Sequence, residues 1–74
     1  MDKAKDVIGK HIIAYLYANP RASALDISQA IGEDSRRVQD ALIALDDNGS
    51  VIMKGGWYSL SEAERLRIKN GGRA

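Results

Sequence analysis

Arg36, Arg37, Gln39 and Ile43 fall within one stretch, Asp34 to Asn48, and are the side chains best placed to meet a ligand. Each guanidinium carries a rigid fork of donors, and the carboxamide of Gln39 both donates and accepts. Val38, Ala41, Leu42 and Leu45 recur at the i, i+3, i+4, i+7 spacing of one buried helical face. At about 100° per residue, Arg36, Asp40, Ile43 and Asp47 then point the opposite way, with Arg37 and Gln39 on the flanks. Asp34 or Ser35 can cap the free amides of the first turn, and Asn48-Gly49 supplies the stop. A basic, amide-bearing N-terminal half on an exposed face suits a helix that enters a groove.

Other chemistries find no residues to carry them. The sequence has no cysteine and a single histidine, His11, and it lacks a glycine-rich phosphate loop and a metal-ligand cluster. Asp46-Asp47 at a helix end is no catalytic dyad without a partner group. An enzyme is therefore not expected, nor a cofactor, a metal or a small-molecule ligand. His11 reads as a packed or surface residue. The net charge of +1 argues against tight nonspecific phosphate binding, yet it leaves room for a local basic patch. Met1 to Asp6 is charged and lacks the apolar core of a signal peptide, and no apolar run reaches membrane-spanning length. The expected location is cytoplasmic.

The chain is 74 residues long, enough for one domain with one small core. From Lys3 to Ala18 the pattern is helical, with Ala4, Ile8, Ile12, Tyr15 and Leu16 on one face and Asn19-Pro20 as the stop. Ile13 and Tyr17 fall outside that stripe. They read as a wider buried face or as a dimer contact. Arg21-Ala22 reads as a short extended segment, and Ser23 to Asp26 as a capping box with Asp in place of Glu or Gln. A short helix follows, burying Ile27, Ala30 and Ile31 and stopping at Gly32. Ser50 to Lys54 and Trp57 to Leu60 form a hairpin around Gly55-Gly56. Trp57 is expected to be the packing anchor that closes this hairpin on the helices, the alternative being a ligand-facing aromatic. Ser61 caps a polar segment from Glu62 to Lys69, in which Leu66 is the clearest apolar residue and Ile68 lies on another side. Residues 3–69 are thus expected as one domain and 70–74 as a frayed tail. The expected core is Ile12, Leu16, Ile27, Ile31, Val38, Leu42, Leu45 and Trp57.

Three helices with a tight turn before the third, followed by a hairpin, resemble the winged helix-turn-helix family over about Asp6 to Leu60. Ile27-Ser28, Gly32, the spacing of Val38, Leu42 and Leu45, and Asn48-Gly49 before the first wing strand carry the resemblance. Trp57 to Ser61 is similar to the Tyr-x-Leu-Thr ending common after such wings. In register the chain is also similar to the Zα winged helices that bind left-handed nucleic acid, from Ser23 through Leu45 and again at Trp57. Their phosphate-contacting Asn is Gln39 here, their base-stacking Tyr is Ile43, and their Pro-Pro wing is Gly55-Gly56. The resemblance therefore implies the α+β winged-helix fold more than the left-handed ligand.

What it implies for function is a small protein that binds double-stranded DNA with the 34–48 helix. Such a protein would be a transcriptional regulator from a bacterium, an archaeon, or their phage or plasmid, acting by occupancy. In such domains the N-terminal half of the third helix enters the major groove. There Arg36 and Arg37 would meet phosphate or guanine edges, and Gln39 an adenine edge or phosphate. Ser35 and the first-turn amides would meet a phosphate, and Ile43 a thymine methyl. Lys54 at the wing tip and Arg21 before the second helix would contact the backbone. Asp40 opposes all of this, because a carboxylate facing phosphates is repelled. The alternative for Arg36 and Arg37 is a solvated face paired with neighbouring Asp or Glu. A homodimer through Ile13, Tyr17 and Leu66 or Ile68 would add a second half-site. The competing function is a protein-interaction module, in which Ile43, Ile13 and Tyr17 contact a protein partner. One contiguous basic face formed by Arg21, Arg36, Arg37 and Lys54 would favour DNA, and scattered charges each paired with Asp or Glu the protein partner.

Overall fold

Three turns of the first helix deliver Ile8, Ile12 and Leu16, each four residues after the last, into the core. The computed structural model describes residues 3–71, with side chains from Val7 onward. In chain order the elements are α1 (Lys3–Ala18), α2 (Ala24–Ile31), α3 (Ser35–Asp47), β1 (Val51–Lys54), β2 (Trp57–Leu60) and α4 (Glu62–Lys69). Val38, Ala41 and Leu42 of α3 and Ile27 of α2 meet the α1 stripe, and Ala22, Val51 and Leu60 close it from the hairpin side.

Backbone signals in the sequence set the boundaries. Ser23 and Asp26 form the expected reciprocal box: the Asp26 amide donates to Ser23 Oγ at 3.2 Å, and the Ser23 amide to Asp26 Oδ2 at 3.3 Å. Gly32 ends α2 in the left-handed conformation. After α3, the Gly49 amide donates to the Asp46 carbonyl and the Ser50 amide to the Leu45 carbonyl at 2.9 Å. That pair of bonds is a Schellman closure, and it requires Gly49 at φ 76°. An added Cβ at Gly49 would meet nothing within 4 Å, so only backbone strain opposes it. Gly49→Ala should therefore cost about 1 kcal/mol, read as a lower urea midpoint with an unchanged m-value.

β1 and β2 pair antiparallel, Val51 with Leu60 and Lys54 with Trp57, across Gly55-Gly56 at positive φ. The N-terminal neighbour of the hairpin is the extended residue Ala22. Its amide donates to the Tyr58 carbonyl at 3.0 Å, and the Tyr58 amide returns a bond at 2.8 Å. The Arg21-Ala22 segment therefore forms the expected extended step.

Three expected core residues, and Ala30 of the expected buried face of α2, are less buried than expected. Trp57 is 43% exposed, because side chains alternate along a strand and Leu60, three residues later, is the one turned inward. Ile31 and Leu45 are only half-buried at the rim of the core, at the ends of their helices. Ala30 is exposed, since α2 is too short to cover more than the face holding Ile27. α4 also has a place in the fold. Ser61 Oγ caps it by accepting from the Glu64 amide at 3.2 Å, and Ile68 packs against the core. Arg65 reaches back to the Leu16 carbonyl at 3.5 Å and lies over the Tyr17 ring. Asn70 and Gly71 turn the chain out of α4; the rest of the expected tail, 72–74, lies outside the described residues.

Candidate nucleic-acid interface

α3 begins without a side-chain cap. Asp34 stands at the N-cap position in extended conformation, but neither it nor Ser35 accepts from a first-turn amide. The exposed Asp34 carboxylate stays in solvent, and only the Asp34 carbonyl is used, by the Val38 amide at 3.0 Å. The expected cap is thus absent. α2 and α4 differ in having serine caps. The amides of Ser35, Arg36 and Arg37 have no carbonyl four residues back within the helix, and they lie at the positive end of its dipole.

Because Val38, Ala41 and Leu42 fill the buried face, Arg36, Arg37, Gln39, Asp40 and Ile43 are all left exposed. Ile43 is a large apolar side chain left 60% exposed. Arg36 and Arg37 stand four and three residues before Asp40, a spacing that permits an ion pair. None forms. Among the described residues the one ion pair is Arg67 with Glu64, at 2.6 Å on α4. The reading of Arg36 and Arg37 as a self-neutralised helix face is not what the structure shows.

A second group of side chains gathers on the outward face of the hairpin. Ala22 turns inward and is buried, so Arg21 beside it turns outward. There its guanidinium carbon lies 5.2 Å from the centroid of the Trp57 ring. Lys54 is the cross-strand partner of Trp57. Pro20, Arg21, Lys54, Trp57 and Ser59 line one groove of about 550 Å³. The structure thus brings Arg21 and Lys54 together around Trp57. Ser35, Arg36, Arg37, Gln39, Asp40 and Ile43 are arrayed along α3 instead. α3 packs against β1, and among the described residues no hydrogen bond or ion pair links the two groups. Trp57, for which a ligand-facing aromatic is the alternative to a packing anchor, faces outward together with Ser59, as the alternation counted back from Leu60 requires.

On the other side of the molecule, α1 and α4 share a groove lined by Lys10, Ile13, Ala14, Tyr17, Glu64, Arg67 and Ile68. Ile13 and Ile68 are half-buried against the core, so part of the apolar excess on α1 is met within the chain itself. Tyr17 and Leu66 stay exposed. Among the described residues no three His, Asp or Glu side chains could hold a metal ion. No described helix is long and apolar enough to cross a membrane.

The sequence matches no protein-family profile and no curated protein sequence. Among solved structures, the chain is similar to the Zα domain of PKZ from Carassius auratus, in complex with Z-DNA. The TM-score is 0.73 and the identity 27%, over 77% of this chain and 97% of that domain. It is also similar in fold to PigF with SAH, at a TM-score of 0.71 and 23% identity, over 86% of this chain and 19% of that one. The chain therefore spans about a fifth of PigF. The order of elements, the antiparallel hairpin after the third helix and the likeness to a Zα domain together make this fold a winged helix.

Proposed function

We propose that this chain binds duplex DNA through the exposed side of α3 with support from the hairpin, and that it regulates transcription by occupying its site. The observation that carries the reading is the start of α3. An uncapped first turn, at the positive end of the dipole, is flanked by Arg36 and Arg37, both exposed and without an ion-pair partner among the described residues. Free amides and guanidinium groups converging at a helix start form a receptor for phosphate. The Zα neighbour, which shares the fold, is in complex with Z-DNA. In this chain, however, Gln39, Ile43 and Gly55-Gly56 replace the Asn, Tyr and Pro-Pro of the Zα pattern. Ile43 offers no ring to stack on a base and is suited to a thymine methyl in the major groove. This favours right-handed duplex.

Asp40 sets the affinity. Its exposed carboxylate shares the α3 surface with Gln39 and Ile43, and it has no cation within ion-pair distance among the described residues. Titration of a labelled mixed-sequence duplex and of an alternating CG duplex held in the left-handed form, each at two salt concentrations, tests the proposal. Wild type should bind the right-handed duplex more tightly at low salt, and Asp40→Asn should tighten it by about threefold to fivefold by removing a repulsion of the order of 1 kcal/mol. No binding to either duplex at low salt, without rescue by Asp40→Asn, would transfer the function to a protein partner docking on Ile43.

A further inference from the structure

The groove on the outward face of the hairpin has a chemistry that the α3 surface lacks. Its side chains are an indole, a guanidinium lying 5.2 Å from the indole centroid, an ammonium, a proline ring and a hydroxyl. No carboxylate lines it, and neither Arg21 nor Lys54 is ion-paired among the described residues. Trp57 keeps 43% of its surface exposed although it is the largest apolar side chain in the protein. A large aromatic left in water beside two unpaired cations is what a stacking platform for a charged ring compound requires.

The platform is also held in place. Arg21 is anchored by the paired hydrogen bonds between Ala22 and Tyr58, and Lys54 and Trp57 are fixed opposite each other at the last rung of the hairpin. We propose that this groove is a second nucleic-acid site that takes an unpaired nucleotide. The base stacks on Trp57 and the Arg21 guanidinium, the 5′ or 3′ phosphate rests on Lys54, and the Ser59 hydroxyl is available to a base edge. An intact duplex cannot use this site, because its bases are already stacked on one another. A single-stranded or extruded nucleotide can. The inference extends the DNA reading by naming the form of DNA, an unpaired segment beside the duplex held by α3.

Trp57 is the sole tryptophan of the chain, so its emission reports on this groove alone. The full chain should be titrated with a short oligothymidylate, with a blunt duplex and with polyglutamate. Oligothymidylate should quench the emission. Arg21→Ala should weaken that binding about fivefold or more, the scale of losing one stacking partner, and should weaken duplex binding by less than it weakens oligothymidylate binding. Trp57→Ala, followed through a labelled oligonucleotide, should weaken it to a similar degree, with partial recovery in Trp57→Phe. Arg21 is exposed, so Arg21→Ala should keep the wild-type thermal melt, and a melt of each Trp57 variant checks that it is folded at the titration temperature. Duplex binding without quenching by oligothymidylate would overturn this inference and leave the α3 reading standing. Quenching by polyglutamate as strong as by oligothymidylate would overturn it as well, since any anion would then do. Quenching by oligothymidylate without duplex binding would support the groove and remove the α3 reading instead.

Discussion

Leu42→Ala should destabilise the fold by about 2–5 kcal/mol, the range for emptying a fully buried leucine site. Leu42 has no exposed surface and sits in the middle of α3, within the same buried cluster as Ile12, Leu16 and Val38. The ends of α3 are free to adjust, but its centre is held by α1 on one side and α2 on the other, so the cavity cannot readily collapse. In a domain this small the total stability lies near the low end of about 5–15 kcal/mol. Each kcal/mol shifts the melting midpoint of such a domain by about 4–8 °C. A circular-dichroism melt should therefore fall by about 8 °C or more. Leu45→Ala should fall by less, because Leu45 is only half-buried. Equal melts for wild type and Leu42→Ala would mean that α3 is rotated about its axis, and the exposure of Arg36 and Arg37 would go with it.

That coupling explains which parts of the molecule could be read in advance. The phase of α3 follows from four apolar residues, and the exposed set of Arg36, Arg37, Gln39, Asp40 and Ile43 follows from the phase. Gly49 and Gly55-Gly56 fix turns whose backbone few other residues adopt, so the hairpin and its register were equally legible. Trp57 was not. Composition rewards placing the largest apolar side chain inside, whereas the strand period places it outside once Leu60 is inward, and the period prevailed. The missing cap at α3 has a related cause. Asp34 has the right residue type, yet its side chain makes no bond to the first turn. Residue type gives the capacity for a contact, while only the backbone decides whether the contact is made. The docking of α4 lay beyond sequence reach because Ile68 and Arg65 meet α1 across nearly fifty residues of chain.

Replacing both Arg36 and Arg37 with alanine should reduce duplex affinity by about tenfold or more per arginine, in line with about 1.5–3 kcal/mol for a hydrogen bond to a charged group. It should also change the salt dependence. Each phosphate contact releases counterions, so log affinity falls by about 0.9 per contact for each decade of salt. With two contacts removed, the slope should flatten by just under two. Neither arginine contributes to the core, and both are exposed, so the melt of the double variant should match wild type. Lys69→Ala supplies the control. It removes a like charge from the exposed surface of α4, away from α3, and should leave the slope where it was. Anisotropy titrations across a salt series separate the two possibilities. A slope equally flat in the double variant and in Lys69→Ala would mean that general charge holds the DNA. A slope that flattens only when Arg36 and Arg37 are gone would fix the first turn of α3 on the phosphate backbone.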